Sequence, residues 1–276
     1  MSGAVQALNV ALPVLYLLAA LLHGMSFGGP EAPQPVRTRR AVTAAALAAH
    51  LSLFLVHWSS SGASPFFDPW TTLSAVAFAL AVLFLGTSWR VAESGAGGIV
   101  LGVVGLVQCL ASAAGPMTAR VAAEPANAIA FVHAITSISA TGALLLSALH
   151  GTLFLIVLSR MKHHQFGPLV RRLPNLQTLA RLMRRAALAG FLLLAAGVNI
   201  GIGWAHHSDA AGFSYTDPLV FSMIALWLFF GVVAFSSAIP GFTARRASIA
   251  AAVGGLVLLV ASIAAVLPIA SFHWGA

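Results

Sequence analysis

Ten histidines stand in a chain that carries only six carboxylates and one cysteine. Imidazole titrates near neutrality, and in its neutral form it is a common ligand for transition metals. Four positions are candidate ligands: His50, His133, His150 and His273. His50 and His150 fall well inside apolar runs, His133 lies near the start of one, and His273 lies just past the last. Two neutral imidazoles on facing helices are what a six-coordinate haem iron takes, and an apolar bundle supplies a slot for the porphyrin. Zinc usually takes a third or fourth ligand, often a thiolate or a carboxylate, and this sequence has few of either. Cys109 stands alone, with no CxxC or CxxCH, so any haem is held by coordination, as haem b, without covalent attachment.

The other polar residues exclude more than they suggest. Glu31, Asp68, Glu93, Glu124, Asp209 and Asp217 all lie near the ends of apolar runs or between them, which leaves little for a paired-carboxylate mechanism. No Ser-His-Asp order, glycine-rich phosphate loop or HExxH motif occurs. No catalytic residue is assigned, and a role other than an enzyme's fits the residues better. His163 and His164 lie in a basic stretch and read as solvated; His23 reads as interfacial.

The elements that position these residues follow from composition. The 276 residues are 59% hydrophobic and 7% charged, with a mean hydropathy of +0.95, values that belong to an integral membrane protein. Crossing a ~30 Å hydrocarbon core takes about 20 apolar residues. Eight stretches qualify, near 5–27, 41–59, 70–88, 97–115, 128–158, 186–205, 218–239 and 247–270. The fold class is therefore all-α, a polytopic transmembrane helix bundle of eight spans and a single domain over residues 1–276. The first run has no basic region before it and reads as a retained helix, not a cleaved signal.

Thirteen of the fourteen basic residues fall in loops on one side: Arg37, Arg39 and Arg40; Arg90; seven between Arg160 and Arg185; and Arg245 with Arg246. Arg120 alone falls on the other. The positive-inside rule then puts both termini outside and makes residues 160–185 a basic cytoplasmic loop. The net charge of +8 faces anionic lipid headgroups and not nucleic acid. Asp68-Pro69 and Asp217-Pro218 read as helix caps followed by proline at the first helical position. Gly98 and Gly102 form a GxxxG for close helix packing. After Pro174, Leu176, Leu179, Leu182 and Met183 recur at helical spacing among arginines, which predicts an interfacial segment that turns into the sixth span. Trp58, Trp70, Trp204, Tyr215 and Trp274 form an outer aromatic belt.

Counting ~1.5 Å per residue inward from Arg40 and from Arg160 puts His50 and His150 both ~15 Å deep. His57, His133 and His273 make a second, outer layer, with His206 and His207 near it.

With these residues in view, the chain resembles the CcsA/HemX-type cytochrome c assembly family, in particular its short eight-helix inner-membrane members. The segment "LVRRLPNLQTLARLMRRAALAGFLLLAAGVNIGI" is similar to that family's leucine-proline-leucine-glutamine segment leading into a long helix. "AIAFVHAITSISATGALLL" places His133 at the family's histidine before a small-residue helix, and His50 in "AAHLSLFL" sits where a family histidine is expected. "TDPLVFSMIALWLFFGVVAF" followed by "ARRA" adds to the likeness, which covers about residues 40–270. Typical members carry a tryptophan-rich external WWD motif; "GFSYTDPLVF" keeps Asp217-Pro218 and lacks the tryptophans. His273 in "SFHWG" resembles the family's last external histidine in position and neighbourhood. The resemblance implies haem handling at the outer face of a bacterial-type plasma (inner) membrane, with haem, membrane lipid, apocytochrome c and other assembly proteins as partners. It singles out His50 and His133, whereas depth places those two in different layers, and the ligand pairing stays open.

Two other classes use the same residues. A histidine-lined transporter for a metal ion or protons needs titratable groups in the spans, and a membrane scaffold or regulator needs the basic loop as a docking surface.

Overall fold

The computed structural model of the protein describes residues 3–25, 36–61, 66, 69–88, 95–114, 128–207 and 218–266. They form helices and turns, with no strand among the described residues. In chain order the helices are α1 (Gly3–Gly24), α2 (Val36–Ser61), α3 (Pro69–Ser88), α4 (Ala96–Ala114), α5 (Ala128–Lys162), α6 (Pro168–Arg172), α7 (Leu176–His207), α8 (Pro218–Ala234) and α9 (Ala244–Val266). Each of the eight expected stretches contains one long helix. Seven of these are long and apolar enough to cross a membrane. The shorter α8 has 17 residues, a length of ~25 Å.

Pro69 and Pro218 open α3 and α8 as expected. Their capping partners Asp68 and Asp217 lie outside the described residues, as do Tyr215, Trp274 and His273.

Two boundaries differ from expectation. The second helix begins at Val36 and takes Arg37, Arg39 and Arg40 into its first turns. The seventh is one continuous 32-residue helix, so the arginine-rich segment does not turn before entering the bundle. Asn175 caps its start, accepting from the Thr178 amide at 2.8 Å. From there Leu179, Ala180, Met183, Ala186 and Ala187 are all buried and follow one stripe. Nothing in residues 176–189 breaks a helix, and protein, not headgroups, covers that stripe.

α5 is the hub and packs against α3, α7 and α9; α8 packs on α7 and α9. α1 packs on α4 and α2, and α4 also packs on α3. The α3–α5 contact is the main joint between the group α1–α4 and the group α5–α9. In lipid, apolar side chains gain little by leaving the solvent, so close approach at small residues selects partners. Gly190, Gly197 and Gly201 of α7 face Leu144, Ser137 and His133 of α5. Steps of seven and four on one helix meet steps of seven and four on the other, a continuous antiparallel register. Gly142 seats α5 on Ala79 and Leu80 of α3, and Gly151 seats it on Ser248 of α9.

On α4, Gly98 lies against Gly24 as a packing glycine, but Gly102 faces open space. Gly105, packed on Leu17, takes its place. A step of seven drifts ~20° around a helix, whereas a step of four moves ~40° the other way.

Candidate functional site

The expected ligand histidines divide by what their ring nitrogens already do. His50, on α2, is fully buried and uses both. Its Nδ1 is 2.9 Å from the Tyr16 hydroxyl of α1, and its Nε2 is 2.9 Å from Ser74 Oγ of α3. Ser74 donates its single hydrogen to Gln108 Oε1 of α4 at 2.9 Å. Nε2–H of His50 must therefore donate to Ser74, and neutral Nδ1 must accept from Tyr16. The chain continues: Gln108 Nε2 donates to Ser112 Oγ at 3.1 Å, and Ser112 donates to the Asn9 carbonyl of α1 at 2.8 Å. Asn9 Nδ2 closes the loop by donating to the Ser112 carbonyl at 3.1 Å.

From the Tyr16 hydroxyl to the Asn9 carbonyl every bond runs in one direction, so each polarises the next. Four helices are tied at one level, and the aromatic rings of Phe54 and Phe78 wrap the His50 ring at 4.8 and 5.2 Å.

His133 is held differently. It lies in the second turn of α5 and is half-buried. Its Nδ1 is 2.8 Å from the Gly197 carbonyl of α7. A carbonyl only accepts, so Nδ1 carries the hydrogen and Nε2 presents its lone pair. Gly201 makes room for the ring: a Cβ there would stand 2.6 Å from Cε1 and 2.7 Å from Nδ1. A carbonyl that fixes the tautomer and orientation of an imidazole is the usual outer support of a metal-ligating histidine.

His150 has the same tautomer, with Nδ1 donating to the Leu146 carbonyl of its own helix at 2.8 Å, but it is only 3% exposed. Ser147, one turn away, has a sealed Oγ without a hydrogen bond. Seventeen residues separate His133 from His150, ~25 Å along α5. The two cannot meet on one iron. Nor do α2 and α5 pack along their lengths, as α3 lies against α5 with α1 and α3 around His50.

The remaining histidines take peripheral or structural places. His163 and His164 are exposed in the turn after α5. His206 is exposed in the last turn of α7, in helix and not in the expected loop. His23 is half-buried in the last turn of α1, and its Nε2 is 3.3 Å from Thr43 Oγ1 of α2. Among the described residues no three histidine, cysteine or acidic side chains cluster as a metal site.

Sequence reasoning passed over Tyr16, Ser74, Gln108, Ser112 and Asn9. Their signal was present as single polar residues inside apolar runs, with Asn9 and Tyr16 a heptad apart on α1 and Gln108 and Ser112 a turn apart on α4.

A donor set of neutral imidazoles, one of them half-buried with an oriented lone pair, fits haem iron at His133 better than at His50. No curated protein matches the chain. Residues 40–267 match the family model described as cytochrome c assembly protein. That stretch runs from the second turn of α2 through the end of α9 and takes in His50, His133 and His150. A match over well over half of its length, on a multi-pass membrane bundle, means that the chain belongs to the cytochrome c assembly protein family and serves cytochrome c biogenesis.

Proposed function

We propose that this protein handles haem for cytochrome c assembly, binding it non-covalently as haem b at the outer end of α5. The observation that carries the reading is the His133 tautomer: Nδ1–H is anchored on the Gly197 carbonyl, and Nε2 is left to bind iron. His133 is the described ligand, and His273 is the second, on the strength of its sequence position. His150, with the same tautomer ~25 Å deeper, is a separate inner level and not the partner of His133. His50 becomes a ligand only by giving up its bond to Tyr16, so its part is to hold α1–α4 together.

Haem bound there supplies an iron that accepts imidazole nitrogens. The protein's own residues do the rest. Gly197 fixes the ring, Gly201 gives it space, and the α5–α7 seam keeps both in register. The charge distribution puts both termini and His133 outside, with the basic segment at 160–185 in the cytoplasm of a bacterial-type cell. Haem thereby sits on the side where apocytochrome c and other assembly proteins meet it.

The test is the absorption spectrum of protein purified from haem-replete cells. A Soret band with sharp reduced α and β bands is expected, lost in His133→Ala while the protein still inserts. A colourless preparation, or an unchanged spectrum in His133→Ala, would falsify the reading.

A further inference from the structure

We propose that the end of the bundle where α1 finishes and α2 and α4 begin is an oxyanion site built on Arg39. Arg39 lies in the first turn of α2 and is only 7% exposed. Its Nε is sealed and has no hydrogen-bond partner, and among the described residues nothing pairs with its guanidinium. Arginine is always charged, and an unpaired buried cation is retained in a membrane protein where a partner from outside the chain meets it.

The neighbours are two helix starts and a histidine, set against the carboxyl-terminal end of α1. His23, in the last turn of α1, is 3.3 Å from Thr43 Oγ1, and Thr43 donates to the Arg39 carbonyl at 2.9 Å. This chain pins the His23 ring beside Arg39. The first turn of α4 closes the other side: Gly98 lies against the Gly24 backbone, and the His23 ring covers Gly97 so closely that no side chain fits there. The amino-terminal ends of α2 and α4 thus both lie at the end of α1, with an arginine and a histidine. Helix starts direct free N–H groups and the positive end of the dipole at an anion.

The ligand is therefore a singly or doubly charged oxyanion presented at headgroup depth. Two sources share that chemistry: the phosphate of an acidic lipid and free inorganic phosphate. His23 and Arg39 precede the stretch that matches the family, whereas Thr43 and the first turn of α4 lie within it.

The protein, Arg39→Gln and Arg37→Gln are purified into nanodiscs of phosphatidylcholine with or without phosphatidylglycerol, and thermal unfolding is followed. Arg37 is exposed and loses the same charge, so it controls for bulk electrostatics. In phosphatidylcholine alone, Arg39→Gln is at least as stable as the parent, because the substitution removes an unpaired charge. Phosphatidylglycerol stabilises the parent and Arg37→Gln but not Arg39→Gln, with apparent lipid affinity about tenfold weaker in that variant.

A second arm adds inorganic phosphate to the phosphatidylcholine discs. If free phosphate is the ligand, it stabilises the parent and Arg37→Gln, with an apparent affinity about tenfold weaker in Arg39→Gln. Neither arm needs haem, so both stand or fall apart from the haem reading. Equal destabilisation of Arg39→Gln in both lipids, with neither ligand telling it from the parent, overturns the site and leaves Arg39 a structural residue. Should the glutamine variant not accumulate, Arg39→Lys gives the same measurement: phosphatidylglycerol must stabilise it as it does the parent, and failure to do so overturns the proposal.

Discussion

His50 decides between a histidine that holds haem and one that holds helices. The perturbations are Tyr16→Phe, His50→Leu and the pair. In the fold, Tyr16 and His50 are both fully buried, and among the described residues the 2.9 Å bond between them is the only hydrogen bond of either the hydroxyl or Nδ1. Tyr16→Phe leaves a buried ring nitrogen without a donor, which costs about 1–3 kcal/mol. His50→Leu leaves the Tyr16 hydroxyl without an acceptor and Ser74 without its donor, although Ser74 still donates to Gln108. Its cost is at least as large. Once both polar groups are gone, no buried orphan remains between α1 and α2, so the second substitution adds little to the first. The cycle therefore shows a coupling of ~1 kcal/mol or more. The assay is equilibrium unfolding in detergent micelles, with a haem spectrum taken on each sample. All three variants are expected to keep the Soret band in proportion to folded protein. A His50→Leu protein of parental stability that has lost haem absorption would refute the reasoning and restore His50 as an iron ligand.

Gly201→Ala puts a methyl group 2.6 Å from His133 Cε1 and forces the ring off the Gly197 carbonyl, an overpacking cost of about 1–3 kcal/mol. Haem retention on gel filtration is expected to fall, while Gly102→Ala, with open space around it, leaves retention and stability unchanged; equal behaviour of the two variants would count against the seat. Topology is checked by cysteine labelling in a Cys109→Ala background. Ser2→Cys is expected to react with a membrane-impermeant reagent in intact cells and Gln165→Cys only after lysis; the reverse pattern would invert the bundle.

The spans were legible because crossing a membrane requires long apolar runs, and each expected stretch holds a helix. The ends were less legible. A charged residue in the first turn of α2 and a loop-like arginine cluster before α7 look alike in sequence. Only packing tells a helix start such as Arg39 from solvated loop, and only the buried stripe through Leu179 and Met183 shows that α7 never turns. Histidine depth was a poor guide to pairing. Equal depth put His50 with His150, yet depth fixes one coordinate of three, and the helix faces carry these rings to different neighbours. Resemblance pointed to His50 and His133 without telling which has a free nitrogen, because that depends on what faces the ring. The Gly98 and Gly102 spacing misled for the same reason: a motif names a helix face only when a partner is known to lie on it.

The distinction that matters chemically is how many ring nitrogens the fold consumes. In lipid, helices have little hydrophobic reason to choose one neighbour over another, so polar bonds and close approach set register. α1–α4 are registered by the one-directional chain from Tyr16 to Asn9, and a member in its middle must use two nitrogens. α5 and α7 are registered by a glycine seam, which asks for one nitrogen from His133 and leaves the other. Both ends of the polar chain lie on α1, ahead of the family match at residues 40–267. Without α1, His50 Nδ1 would have no donor and the Ser112 hydroxyl no acceptor, so a histidine inside the matched stretch would stand with a free lone pair in the bundle. The first helix thus occupies Nδ1 of His50 while Ser74 of α3 occupies Nε2, and on the proposed reading this leaves iron to His133; α1 acts through a tyrosine hydroxyl and an asparagine carbonyl far along the chain from that seat.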